Sequence, residues 1–280
     1  MGSARIVLLF GILIGIFMLI GSFFGKIGII GALIFAGLLN VVSYFYSDKI
    51  VLHMYGAKEV SAKDYPELHH VVEKLAKKAN IPKPKVAVMN SPTPNAFATG
   101  RNTKNALVCA TTGILNLLSK EELEGVFAHE ISHVTNHDIL VGTMAATIAG
   151  AIAMVGRFAW FASMGHRDSR GGGNALMFII AIIVAPIAAM LVQLAITRQR
   201  EYGADKTGAL LSEKPLALAS ALQKISAGVR HHPLKNGNPA TAHLFIVNPF
   251  TAGTLISLFS THPPVAERVE RLKKMNDEMK

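Results

Sequence analysis

Residues 119–138 read Ser-Lys-Glu-Glu-Leu-Glu-Gly-Val-Phe-Ala-His-Glu-Ile-Ser-His-Val-Thr-Asn-His-Asp. The first four form a capping box, in which Ser119 and Glu122 satisfy backbone donors of an opening helical turn. The helix runs through Glu130 and His133 and can continue unbroken into the apolar run that follows. Residues four apart share one helical face, so His129 and His133 present both imidazoles to one point. Two imidazoles so placed can grip one zinc ion. Glu130, one position after the first of them, stands close enough to a water in the metal's open place to take its proton.

A catalytic zinc usually takes three protein ligands and leaves one place for water. The third ligand must come from elsewhere in the chain. Glu201 is the best candidate, in Arg200-Glu201-Tyr202-Gly203-Ala204-Asp205, directly after another long apolar run. If one run leaves the surface from the zinc helix and the next returns beside it, Glu201 is delivered to the site. Asp138 is a rival ligand, read more readily as a supporting acid near the membrane surface. Asp205, one turn after Glu201, can accept a hydrogen bond from a ligand histidine's second nitrogen and fix its tautomer. Peptide hydrolysis at such a metal needs one further donor for the oxyanion. His262, Arg268 or a tyrosine can supply it, and physical reasoning alone does not choose among them.

Outward from this helix the chain is unusually apolar. Of 280 residues, 51% are hydrophobic and only 16% charged, which calls for long apolar segments. Ile6–Phe24 and Ile27–Tyr46 are each long enough to cross a bilayer as a helix, with a tight turn around Lys26. Leu140–Val155, followed by Arg157, and Asn174–Thr197 form a second candidate hairpin around a polar turn at 165–173. An even number of spans puts residues 47–139 and 198–280 on one side. Lys49, Lys58, Lys63, Arg198, Arg200 and Lys206 flank the spans there, and the positive-inside trend makes that side cytoplasmic. Arg167 and Arg170 are a mild counter-signal. The net charge of +10 fits loops near anionic lipid; without a basic run or aromatic-interleaved patch, it does not indicate a nucleic-acid partner. The single cysteine, Cys109, excludes an intrachain disulfide and a cysteine zinc cluster.

The division expected is a membrane hairpin at 1–47, a first catalytic segment at 48–139, a second membrane hairpin at 140–197 and a second catalytic segment at 198–280. Residues 48–60 read as a membrane-proximal link. Pro66 and Glu67 open a helix whose apolar face carries Leu68, Val72, Leu75 and Ala79. Lys85–Met89 and Asn105–Ala110 read as strands, Asn95–Thr99 as a short extended piece, and Thr111–Leu118 as a short helix. Pro215 opens a helix to about Ala227, and 228–249 reads as a loop. The segment Thr261-His262-Pro263-Pro264 starts a last helix with Val265, Val269 and Leu272 on its apolar side.

Several motifs taken together resemble the HtpX family of membrane-bound zinc metalloproteases, relatives of the CAAX prenyl proteases. They are His129–His133 with Asn136 and Asp138, Glu201–Asp205, Asn95-Ala96-Phe97-Ala98-Thr99-Gly100, and Thr261–Pro264 with Arg268. The resemblance covers nearly the whole chain. It implies an α-helical membrane protein carrying a gluzincin-like α+β zinc metalloprotease domain. It implies one zinc held by His129, His133 and Glu201, with Glu130 as general base and acid, and Asn136, Asp138 and Asp205 in support. The implied substrates are polypeptides, chiefly misfolded or damaged membrane proteins, cut at the cytoplasmic side of the cell (inner) membrane. Asn95, Ala96, Phe97, Ala98 and Thr99 are expected to line the cleft as an edge strand for the substrate backbone. His262 and Arg268 are carried as candidate catalytic residues.

Two other readings compete. A CAAX-type prenyl protease requires a cavity shaped for a lipidated tail, against which the short chain and few spans weigh. A non-catalytic transporter or scaffold gives Glu130 no task, and the apolar runs lack the paired charges of a transport path. The loops at 165–173 and 228–249 make self-cleavage an expectation. His69 and His70 read as surface positions, Cys109 as a buried small apolar group, and Gly171–Gly173 as a turn rather than a phosphate cradle.

Overall fold

The structure, a computed structural model, describes residues 25–142, 198–234, 244–247 and 263–279, with isolated positions between 7 and 22. The second candidate hairpin, from residue 143 to 197, lies outside the described residues, as does His262.

Helix α1, Gly25–Met54, has a left-handed glycine as its first residue (Gly25, φ 72). Its stretch Gly25–Tyr46 is long and apolar enough to cross a membrane, and only 17% of its apolar window is buried. Ile27, Leu33, Phe35, Leu38 and Val42 are exposed, so this is not the core helix of a soluble fold. The helix continues to Met54, replacing the first half of the expected link with helix. The reason is tertiary: Val51 and Leu52 find a sheet to bury against, which repays further turns. Gly56 (φ 62) then ends the run.

A four-stranded sheet follows in the order β1-β2-β4-β3, with β1 at Lys58–Glu59, β2 at Lys85–Met89, β3 at Ala96–Gly100 and β4 at Ala106–Thr111. The two-residue β1 was not legible in the sequence, being too short to show alternation. β2 and β4 pair in parallel, while β3 runs antiparallel to β4 with Phe97 opposite Cys109. Both faces are covered. Val86, Val88, Ala98, Val108 and Ala110 face the helical layer. Ala87, Met89, Phe97, Leu107 and Cys109 face Val51, Leu244 and Phe245.

The helical layer begins with α2 (Pro66–Lys78), which buries Leu68, Val72, Leu75 and Ala76. The short α3 (Thr112–Leu117) is capped by the Thr111 hydroxyl. Helix α4 (Lys120–Thr135) carries the reciprocal capping box: Ser119 Oγ accepts from the Glu122 N–H, and Glu122 Oε2 accepts from the Ser119 N–H at 2.9 Å. The expected unbroken run into the next apolar stretch is not found. Asn136 caps α4, His137 turns left-handed (φ 57), and helix resumes only at Asp138. Among the described residues three more helices join the layer: α5 (Arg198–Ser212), α6 (Pro215–His231) and α7 (Val265–Glu278). The α6 helix extends into the stretch expected as loop because Val229 still buries against the core.

Helix α4 is the centre of the layer, packed by α2, α5, α6 and β3. Its approach to α5 depends on one glycine. A Cβ at Gly208 would stand 2.8 Å from the His129 nitrogen and 2.9 Å from its Cα. Glu201, Ala204, Asp205 and Gly208 share the buried stripe of α5, so this near-contact of backbones presses that stripe against His129.

Candidate metal centre

His129 and His133, one turn apart on α4, turn their Nε2 atoms toward each other at 3.3 Å, with ring planes crossing at 88°. Glu201 of α5 reaches between them, Oε2 at 3.7 Å from His129 Nε2 and Oε1 at 3.6 Å from His133 Nε2. Donors bound tetrahedrally at about 2.0–2.1 Å from a zinc ion stand roughly 3.3 Å from one another. The observed separations fit one zinc held by two imidazoles and a carboxylate. These three are the group of possible metal donors found among the described residues.

The far nitrogens of both imidazoles face acids. Asp205 Oδ1 lies 3.0 Å from His129 Nδ1, and Asp138 Oδ2 lies 3.4 Å from His133 Nδ1. Asp138 is thus on the side of His133 away from the converging donors, so the structure disfavours it as a ligand. Each acid is itself held by an arginine. Arg200 Nε stands 2.9 Å from Asp138 Oδ1, and its Nη2 donates to the Asp138 carbonyl. Arg268 grips both oxygens of Asp205, Nε to Oδ2 at 2.8 Å and Nη2 to Oδ1 at 2.7 Å, and donates through Nη1 to the Ile246 carbonyl at 3.1 Å.

Arg268 is fully buried and does not line the cleft. It lies beneath the metal donors, in an ion pair with Asp205 and with Nη2 3.5 Å from His129 Nε2. Asn136 is exposed at the end of α4, where its backbone N–H closes the last helical turn on the Ser132 carbonyl, so the structure does not bring it to the donors. Of the five strand residues, Phe97 and Ala98 line the cleft. Asn95 turns its side chain to the segment 244–246 instead, accepting from the Ile246 N–H at 2.9 Å and donating to the Leu244 carbonyl. Arg200 and the wall formed by Leu244, Phe245 and Ile246 were missed in the sequence. Arg200 had one signal, a charged residue beside Glu201 at the end of an apolar run; the wall had none.

Glu130 is buried and accepts a hydrogen bond from the Ala98 N–H at 2.9 Å. Burial, with His133 opposing and the Glu201 charge adding, pushes its carboxyl up to about 7. That is the range in which a carboxylate can both take and return a proton near neutrality. The imidazoles are driven apart. Burial pulls His129 down against the pull of Asp205. At His133 burial is outweighed by Asp138, Glu201 and Glu130, and the shift is upward. Arg268 overcomes burial at Asp205 and holds it down at about 2, so it stays an anion facing His129.

Comparison with known proteins agrees with this geometry. Residues 62–276 match the family model for peptidase family M48. The chain is 55% identical to a protease HtpX homolog of Pyrococcus furiosus over 273 residues, covering 96% of this chain and 93% of that one. It is 47% identical to a protease HtpX homolog of Persephonella marina over 98% of both chains. The crystal structure of S. mikatae Ste24p superposes with a TM-score of 0.52 at 19% identity, covering 96% of this chain and 62% of that chain's length. At that identity the likeness concerns fold alone.

Proposed function

The chain belongs to peptidase family M48, in its HtpX branch, and from that membership we propose that it cuts misfolded or damaged membrane proteins beside the cytoplasmic face of the cell (inner) membrane. Its chemistry is that of a zinc-dependent endopeptidase. One observation carries the reading: donors from two distant helices converge at zinc spacing beside a buried carboxyl group.

His129, His133 and Glu201 would hold a zinc ion, which would supply Lewis acidity toward the attacking water and the scissile carbonyl. Glu130 takes the proton of the attacking water and returns it to the departing amine. The Ala98 N–H keeps its carboxyl at the cleft floor. Asp205 and Asp138 orient His129 and His133 so that each Nε2 faces the metal position. Arg268 and Arg200 act one step further back, holding those acids. Strand β3 lies at the sheet edge, where a substrate backbone can add as a further strand; Asn95 to Thr99 take this role, with Asn95 fixing the cleft wall. His262 is kept, from the family resemblance, as a donor to the oxyanion.

The multi-pass topology rests on the apolar runs and on the basic residues that flank them. Phe17, in the first run, meets the ring of Phe35 at 5.1 Å, which supports a hairpin of the first two. Self-cleavage belongs to the same proposal, within 165–173 or within the part of 228–249 beyond the end of α6 at His231.

Comparing the wild type with Glu130→Gln for zinc content and casein cleavage tests the chemistry. The variant should keep one zinc per chain and lose cleavage by about 10²–10⁴-fold. Equal cleavage by both proteins would overturn the reading.

A further inference from the structure

Strand β3 and the end of α1 lie side by side, and two contacts register them. Away from the apolar span, the Tyr55 ring lies 6.3 Å from that of Phe97. At the other end, the guanidinium of Arg101, the residue after β3, sits 5.2 Å from the Phe45 ring. From Tyr55 back to Phe45 is ten residues of helix, about 15 Å. From Phe97 forward to Arg101 is four residues of strand, about 13 Å. The two lengths agree, so β3 runs along the α1 axis in the opposite sense. The helix leaves the apolar span as the strand descends toward it.

The apolar span ends at Tyr46, and Lys49 lies over the Tyr46 ring at 5.4 Å. An aromatic ring and a lysine together are the usual mark of the membrane–water boundary. Arg101, beside Phe45, therefore stands at the level where the bilayer ends. Ala98, whose N–H holds Glu130, precedes it by three residues, which sets the cutting site about 10 Å from that level. A helix tilt of about 20° changes this height by less than about 1 Å. The two ends of the cleft also differ. Leu244 and Ile246, tied to Asn95, wall it near the start of β3. Asp138, Gly142 and Arg200, which border the later apolar runs in sequence, also line it.

We propose that this arrangement is a ruler: the enzyme cuts chains a few residues beyond the point where they leave the bilayer, with the substrate lying along β3 and entering from the membrane end. The proposal rests on the zinc-endopeptidase reading and on α1 as a span. It narrows the substrate to juxtamembrane peptide bonds, about three to six extended residues from the end of a span.

The test uses the full-length, zinc-loaded protein in liposomes. Its substrate is a single-span protein followed by an unstructured tail of about forty residues built from one repeated cleavable unit. Mass spectrometry locates the cuts, and casein serves as a soluble control. Cuts should concentrate in roughly the first ten residues after the span, at least about tenfold over more distant repeats. The same tail without its span should be cut evenly. An anchored tail cut evenly along its length, with casein degraded, overturns the ruler and leaves the endopeptidase standing. Failure to cut casein as well overturns both.

Discussion

Replacing Arg268 with methionine isolates the deepest layer of the site. Arg268 is fully buried and donates two short hydrogen bonds to Asp205, at 2.8 and 2.7 Å, and one to the Ile246 carbonyl at 3.1 Å. Methionine retains much of the packing and none of the donors, so a carboxylate is left buried without its partner. Removing one member of a buried ion pair costs about 3–5 kcal/mol. A domain of this size loses about 2–4 °C of Tm per kcal/mol, so the fall should be about 6–20 °C. Asp205 no longer fixed in place loses its hold on His129 Nδ1, and support of that kind is worth about 10–100-fold in metal affinity. Thermal unfolding in detergent measures the first effect, and competition with a chromophoric chelator the second. Arg268→Lys keeps the charge but cannot grip both oxygens, so it should fall between. Adding Asp205→Asn to Arg268→Met removes the stranded charge; part of the Tm should return while zinc affinity stays low. Wild-type zinc affinity in Arg268→Met would show that His129 is oriented without Arg268 and would refute the positioning role.

Gly208→Ala should separate α4 from α5, because its Cβ would lie 2.8 Å from the His129 backbone; we expect a loss of about 1–3 kcal/mol in unfolding and weaker zinc binding. Leu210→Ala, at a position 51% exposed, is the control and should change neither. Asp138→Asn leaves His133 Nδ1 facing an amide in place of a carboxylate, and chelator competition should show zinc affinity reduced by about 10–100-fold. Asp205 gives an acid signature: its folded-state pKa of about 2 lies below the unfolded value near 3.9. Its stabilisation is complete above the unfolded value and disappears as pH falls through the folded one. The metal-free protein should therefore lose Tm between about pH 4 and 2, and Asp205→Asn should lose less across that window.

The parts legible in the sequence were those written in local spacing. His129 and His133 repeat at one helical turn, Ser119 and Glu122 close a capping box three residues apart, and Pro66 and Pro215 mark helix starts. Glu201 was reachable through the expected topology, in which one apolar run leaves the zinc helix and the next returns beside it. What local spacing could not show is registration between distant elements. The wall at 244–246 depends on Asn95, about 150 positions earlier, recognising two backbone groups. The turn at His137 carries no glycine to announce its left-handed backbone, so local spacing alone lets the helix run on.

Arg268 shows why the second kind of information is hidden. In an amphipathic helix such as α7, whose neighbours Glu267 and Arg271 pair on the exposed face, an arginine reads as solvated by default. Here it is buried because Asp205 is already fixed on α5 and His129 stands beyond it, so that burying the charge leaves no donor directed at empty space. The same logic makes the site cooperative. Glu201 and Asp205 share one stripe of α5, and Gly208 sets how closely that stripe meets His129. A shift of α5 moves a metal ligand and a ligand's support together. Substitutions at Gly208 and Arg268 combined should therefore lower zinc affinity by less than the product of their separate effects, since either one alone already releases His129 from the same carboxylate.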